Sequence, residues 1–242
     1  MFYKLHLLKA LHGINFKYYG CTASTNAVAK EYSKTAKSDC LFIAKSQTHG
    51  RGRKTRTFFS KKGGVYFSLC IKDENSTQLP NITALTAVAV INAINKLSPN
   101  MNPKIKWVND IYIDNKKVCG ILCERQTPSD YTVIGVGINT ATAKDIPTEI
   151  KDIYGAINSK VSYKYNAKLI NEIVKEIYSL KDKDFYDIYK ENSFILGKEI
   201  TVIKETESFK ATAVDIEKDF SLLVQKENEL INLSSGEISI KL

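Results

Sequence analysis

The chain has 242 residues and a formal net charge of +9, from 35 Lys+Arg against 26 Asp+Glu, with 43% apolar and 25% charged residues. That balance excludes an intrinsically disordered chain, and the length suits one large domain or one domain with a small appendage. No run of about 18 apolar residues occurs, so no membrane-spanning helix is expected, and the start, Met1-Phe2-Tyr3-Lys4, lacks the apolar core of a signal peptide.

In chain order, Ile14–Tyr19 reads as a strand, and Ser24 or Thr25 as the N-cap of a helix over Asn26–Lys34. Cys40–Lys45 is a short apolar run, predicted to be a buried strand. A glycine- and arginine-rich loop, Thr48 to Gly64, separates it from the alternating strand Val65–Lys72. Asn81–Leu97 places apolar residues at helical spacing, with Pro99 just past its end. Lys104–Trp107, Ile111–Ile113 and Val118–Glu124 read as short strands, the last two joined by a turn at Asp114-Asn115-Lys116-Lys117. Tyr131–Asn139 is a further strand. Residues 140–160 lack periodicity and read as a long, mobile loop. Asn166–Leu180 is an amphipathic helix, and a second follows over Phe185–Asn192. From Gly197 onward the pattern changes to five short strands, Glu199–Ile203, Phe209–Ile216, Leu222–Gln225, Glu229–Leu233 and Glu237–Ile240. This spacing predicts a small β-barrel, with a domain boundary near Ser193–Lys198. The expected organisation is a catalytic domain over residues 1–192 and a C-terminal domain over 193–242.

Charge and arginine are both localised. Residues 1–72 hold 14 Lys+Arg and two acids, Glu31 and Asp39, while the remainder is slightly acidic. Residues 45–62 carry seven positive charges and no negative one, and three of the four arginines, Arg51, Arg53 and Arg56, fall there. Arginine grips phosphate or carboxylate with a rigid fork, whereas lysine is a mobile point charge. In Gly50-Arg51-Gly52-Arg53-Lys54-Thr55-Arg56, the glycines let backbone amides approach an anion, and the arginines add charged planar donors. The same composition also suits a solvated basic loop or a nucleic-acid segment. Its position between two apolar strands favours a structured site.

Three further motifs follow. Lys106-Trp107-Val108-Asn109-Asp110 sets Asn109 and Asp110 at a strand junction, where they either orient a ligand or magnesium or simply form an Asn-Asp turn. Lys116-Lys117-Val118-Cys119-Gly120 leads a lysine into a buried strand, toward a pocket or as part of a solvated hairpin. Gly135-Val136-Gly137-Ile138-Asn139 puts glycines inside an apolar strand, the mark of a bulge or a close neighbour, and it lacks the third glycine of a dinucleotide fingerprint. The five cysteines, Cys21, Cys40, Cys70, Cys119 and Cys123, are odd in number and scattered in apolar contexts, which argues against a disulfide scaffold and predicts a cytoplasmic protein; Cys119 and Cys123, with no second Cys or His pair at zinc-finger spacing, read as small buried hydrophobes. His6, His12 and His49 form no legible catalytic triad.

Taken in order, Ser24-Thr25-Asn26, Gln47, GRGRxxR, KWxND, KKVxGIL and GxGIN resemble the biotin protein ligases from about Ile14 to the C-terminus, where Ser235-Gly236-Glu237-Ile238-Ser239 is similar to the family's final-domain signature. The resemblance implies an α+β fold: a mixed β-sheet catalytic domain covered by helices, with a small C-terminal SH3-like β-barrel. It implies an enzyme that joins biotin to ATP, with Mg²⁺, giving biotinyl-5′-AMP, and then biotinylates one lysine of a biotin carboxyl carrier protein domain. By resemblance, Ser24, Thr25, Asn26, Gln47, Gly50, Arg51, Gly52, Arg53, Lys117, Gly120, Gly135 and Gly137 would meet biotin. Arg51, Arg53, Arg56, Phe58, Asn109, Lys117 and Asn139 would meet ATP. Arg51, Arg53 and Lys117 would be catalytic, and Asp110 would take the magnesium. Lys61 and Lys62 would attract an acidic carrier domain.

The sequence departs from the family pattern at Thr55, where glycine is common, at Phe58, where tryptophan is common, at Val108, where proline is common, and at Lys241, where arginine is common. None of these removes a charged group. Only 23 residues precede Ser24, so a DNA-binding N-terminal domain and specific DNA binding are not expected. No membrane partner is expected, and family members act as monomers or as homodimers paired sheet edge to sheet edge. Two other readings compete. A lipoate ligase or octanoyltransferase shares a related fold but is disfavoured by the GRGR loop and KWxND. A nucleic-acid-binding module is suggested by the basic N-terminal third, but interleaved exposed aromatics are lacking.

Overall fold

The computed structural model describes residues 14–54, 56–73, 77–127, 129–158, 160–204, 207–234 and 237–239. Thr55, Lys241, His6, His12 and part of the 235–239 signature therefore lie outside the described residues or at their edge.

Seven strands, β1 (Asn15–Tyr19), β2 (Cys40–Ala44), β3 (Val65–Lys72), β4 (Lys104–Lys106), β5 (Asp110–Ile113), β6 (Lys116–Arg125) and β7 (Tyr131–Ile138), form one mixed sheet. Their order is β1-β2-β3-β7-β6-β5-β4. β1 and β2 pair in parallel, and every other neighbour is antiparallel. The period-two alternation of a strand sends successive side chains to opposite faces, and here the two faces have different fates. Leu41, Ile43, Phe67, Leu69, Ile71, Ile134, Val136 and Ile138 enter the main core. The helices α2 (Leu79–Leu97) and α4 (Tyr163–Leu180) contribute to that core and pack on each other. On the opposite face, α1 (Thr25–Ser33) seats Ala29 against Cys40, Phe42 and Cys70. Further along this face stand Ser68, Gly120, Gly135 and Gly137. Gly120 pairs with Gly137, and Gly135 with both Ser68 and Leu122. Small residues thus leave a trough where side chains would otherwise stand.

The predicted helices and strands recur with small shifts at their ends. Ser24 caps α1 by accepting a hydrogen bond from Ala27 N at 3.4 Å, as its residue type favours. Pro80 sits in the first turn of α2, where its missing N–H costs nothing. The β5–β6 turn is two residues, Asp114 and Asn115, with φ of 48° and 59°, rather than the four expected. Both adopt the left-handed conformation that a tight hairpin needs and that Asp and Asn tolerate. The Trp107–Val108 peptide bond is cis.

The expectation of a mobile loop over 140–160 is corrected for its described residues. Thr142 N donates to Asn158 O at 3.2 Å, Asn158 N to Thr140 O at 3.1 Å, and Gly155 N to Lys117 O at 2.9 Å. A short helix, α3 (Thr148–Lys151), lies within the segment. Backbone pairing with β6 and the end of β7 replaces side-chain periodicity as the organising force, so no pattern in the sequence announced it.

α5 (Tyr186–Glu191) leads into the second sheet, β8 (Glu199–Ile203), β9 (Ser208–Ile216), β10 (Leu222–Lys226), β11 (Glu229–Leu233) and β12 (Glu237–Ser239). The order is β11-β10-β9-β8-β12, all antiparallel. Among the described residues this sheet is open, with β11 and β12 as its two unpaired edges, and the expected barrel is not confirmed. The connection into the sheet is built onto the first one. Ile105 N donates to Asn192 O at 2.8 Å and Phe194 N to Ile105 O at 3.1 Å, adding the segment to the β4 edge. Trp107 Nε1 donates to Phe220 O at 2.9 Å, and Phe220 stacks on Phe185 with ring centroids 5.2 Å apart.

Candidate functional site

The trough opens into a cavity of about 360 Å³. Every candidate residue drawn from the motifs lines it except Gly50. A second cavity of about 370 Å³, between the helices and the second sheet, is lined by none of them.

At the α1 end, short polar side chains hold one another. Gln47 Oε1 accepts from Thr25 N at 2.7 Å, and Gln47 Nε2 donates to Ser60 Oγ at 2.9 Å. Ser68 Oγ donates to Asn26 Oδ1 at 2.6 Å and lies 2.8 Å from Thr25 Oγ1. Asn26 Nδ2 donates to Leu122 O at 3.1 Å and to Glu124 Oε2 at 3.0 Å. Ser24, Thr25, Asn26 and Ser68 are all buried, and such groups must be hydrogen-bonded to be tolerated there. A Cβ on Gly135 would run into the Asn26 carboxamide, so that position has to be glycine.

The arginine loop is a small hairpin laid over the trough. Phe58 N donates to Gly50 O and Gly52 N to Arg56 O, both at 2.8 Å. Lys54, with φ of 55°, takes the left-handed conformation in the turn. Gly50 lies underneath, with no room for a side chain against Phe58 O and Ser60 Oγ, so it serves the loop's packing rather than the cavity wall. Arg51 faces Glu124 at 3.7 Å, and Arg53 Nη1 donates to Asn109 Oδ1 at 3.4 Å. Phe58 descends onto the floor. A Cβ on Gly137 would sit 2.6 Å from its ring, and one on Gly120 3.0 Å from it. The paired glycines therefore make the seat of an aromatic ring.

At the β5 end the groups are charged and more sparsely satisfied. Lys117 Nζ pairs with Asp110 Oδ2 at 2.7 Å, while Asp110 Oδ1 is buried with no partner among the described residues. Asn109 Nδ2 donates to Ile121 O at 2.8 Å. Asn139 Nδ2 donates to Gly155 O at 3.0 Å, and its backbone N donates to Val118 O at 2.8 Å, fixing the segment that carries Lys117. Among the described residues no three His, Cys, Asp or Glu side chains gather as a metal cluster.

Several lining or supporting groups were missed in the sequence. Ile150, Ile153 and Tyr154 come from the aperiodic 140–158 segment, and Ile203, Ile238 and Ser239 from the second sheet. Ser60, Ser68 and Glu124 support the α1 end. Period two from Gly120 through Leu122 to Glu124 was a legible signal for the last. Burial pushes the Glu124 carboxyl up, but hydrogen bonds from Asn26 and Lys30 and the Arg51 charge prevail and hold it below its ordinary value. The thiols take no visible part. All five are free, and burial pushes Cys70 and Cys123 up to about 12. Cys21, which precedes α1, is exposed. No helix among the described residues is long and apolar enough to cross a membrane.

Comparison with known proteins agrees with this arrangement. Residues 18–139 match the model of the Biotin/lipoate A/B protein ligase family, and residues 195–241 match the biotin protein ligase C-terminal domain. The chain is 28% identical to the bifunctional ligase/repressor BirA of Bacillus subtilis over 94% of its own length and 74% of that protein. It is 28% identical to the biotin--[acetyl-CoA-carboxylase] ligase of Paracoccus denitrificans over about half of each chain. In structure it resembles the biotin protein ligase from Aquifex aeolicus in complex with biotin and ATP, with a TM-score of 0.80 and 27% identity over 93% of this chain and 97% of that one. With the first model spanning half of its length, the chain belongs to the biotin/lipoate A/B protein ligase family, among the biotin protein ligases.

Proposed function

We propose that the chain activates biotin with ATP to biotinyl-5′-AMP and pyrophosphate, and then transfers biotin to one lysine of a biotin carboxyl carrier protein domain. The observation that carries this reading is the convergence of Arg51, Arg53 and Lys117 with the polar α1 end over one glycine-floored cavity. Both substrates are anions. A biotin carboxylate oxygen must attack the α-phosphorus while the bond to the leaving pyrophosphate breaks, and fixed cations offset the repulsion and the developing charge. The acceptor amine, uncharged, then attacks the acyl carbonyl; AMP leaves and the amine's proton passes to solvent. No protein nucleophile is needed, in keeping with the raised thiols.

In this reading Thr25, Asn26 and Gln47 shape the biotin end with Ser24, Gly135 and Gly137. Arg51, Gly52, Arg53 and Lys117 hold the carboxylate and α-phosphate, and Arg56, Phe58, Asn109 and Asn139 stand on the ATP side. The loop and the 140–158 segment exclude water from the mixed anhydride. Magnesium, when bound, supplies further charge neutralisation on the phosphates. Asp110 Oδ1, buried and without a partner among the described residues, is a fitting carboxylate for it, since Mg²⁺ is commonly held by one or two carboxylates plus phosphate oxygens. The reading divides the chain into a ligase domain, 1–192, and a C-terminal domain, 193–242, working in the cytoplasm. Incubating the purified chain with biotin, Mg-ATP and a carrier domain should biotinylate the acceptor lysine, with biotin outcompeting lipoate for binding. An unmodified carrier would overturn the proposal.

A further inference from the structure

The loop over residues 45–62 carries seven positive charges and no negative one, so its counter-charge must come from elsewhere in the fold. Glu124 supplies one such charge from the floor strand β6. Its carboxylate meets three groups from two elements: Asn26 at 3.0 Å and Lys30 at 3.1 Å from α1, and Arg51 at 3.7 Å from the loop. The side chain is 17% exposed and does not line the cavity, whereas Asn26 and Arg51 both do. An arginine has five N–H donors in a fixed fork, so contact through Nη2 alone leaves donors for a ligand.

Resting on the ligase reading, we propose that Glu124 is a positioning residue: it anchors Arg51 from behind and orients the Asn26 carboxamide, so that the loop closes over biotin and its adenylate in one register. Lys30 shares the carboxylate but belongs to the helix. It serves as the control, because breaking its pair loosens α1 without releasing the loop.

The test is the rate at which isolated enzyme, loaded with biotin and Mg-ATP and freed of excess, loses biotinyl-5′-AMP. Glu124→Gln keeps the shape and one acceptor oxygen but removes the charge, and should speed the loss about threefold to tenfold, as expected for a partly exposed ion pair. Lys30→Met should change it less than about twofold. Glu124→Asp, which keeps the charge but withdraws it by one methylene, provides a milder variant with the same direction of change. In an Arg51→Met background, Glu124→Gln should add less than it does alone, because the share of its effect that runs through Arg51 is already gone and a shared interaction is non-additive. Retention unchanged in both Glu124 variants, an equal defect in Lys30→Met, or additivity with Arg51→Met would each overturn the proposal. Failure of the unaltered chain to form any adenylate would instead sink the ligase reading.

Discussion

The two ends of the cavity are built on different principles. At the α1 end, Thr25, Asn26, Gln47, Ser60 and Ser68 satisfy one another through bonds of 2.6–3.1 Å, and all but the half-buried Gln47 are buried. At the β5 end, Lys117 and Asp110 form one ion pair, and a second carboxylate oxygen is left without a partner among the described residues. On the proposed reading, the first end is a mould for biotin's neutral, polar ring system, and the second a set of charges that exchange internal partners for those of the reacting groups.

Lys117→Met offers the hardest blow to the contrast. Loss of a fixed cation at the reacting centre should slow adenylate formation by about 10²-fold, or roughly 3 kcal/mol in the barrier, by analogy with deleted oxyanion donors. Biotin affinity should fall far less. An equal loss in both, measured by pre-steady-state kinetics and titration calorimetry, would erase the distinction between the ends.

Gly135→Ala attacks the mould. The new methyl collides with the Asn26 carboxamide, so overpacking should cost about 1–3 kcal/mol of folding stability together with biotin affinity. Chemical denaturation and titration of the same variant would show whether the two losses move together, as a rigid mould requires. Gln47→Ala should be milder. It removes the acceptor for Thr25 N and the donor to Ser60, costing about 1–1.5 kcal/mol, or roughly tenfold in biotin affinity, with the maximal rate nearly unchanged.

The smallest effect concerns pH. Asp73, like Glu124, is pushed up by burial but held below its ordinary value overall, through hydrogen bonds from Thr77 and Thr132 and the Arg125 charge. A depressed carboxyl contributes stability that is fully present above the unfolded-state value and lost as pH falls through the folded-state value. Thermal stability should therefore decline on acidification below about pH 4. A melting temperature that rose over that interval would contradict the assignment.

Much of the fold was legible because its causes are local. The strand β3, with bounds at Val65 and Lys72 as expected, is set by its alternation, and α2 by its apolar spacing and its proline punctuation. The site was legible through residue types that the trough demands: glycines where Phe58 and Asn26 press on the floor, and arginines in the loop above it. The rest depended on contacts distant in sequence. Tyr154 and Ile153 reach the cavity through backbone pairing with Lys117, and Ile238 through the placement of the second sheet. Gly50 looked like a ligand residue because its motif did, yet its neighbours are Phe58 O and Ser60 Oγ. Strand spacing announces the five-stranded antiparallel sheet, while closure into a barrel depends on edge pairing that spacing does not encode.

On the ligase reading both ends of the cavity serve one reaction, the joining of biotin to ATP, and pyrophosphate release in a single turnover with no acceptor protein present puts this to the test. A burst stoichiometric with the chain, appearing only when biotin and Mg-ATP are both supplied, is the predicted result. Pyrophosphate release that ignores biotin, or none with both substrates bound, would contradict it.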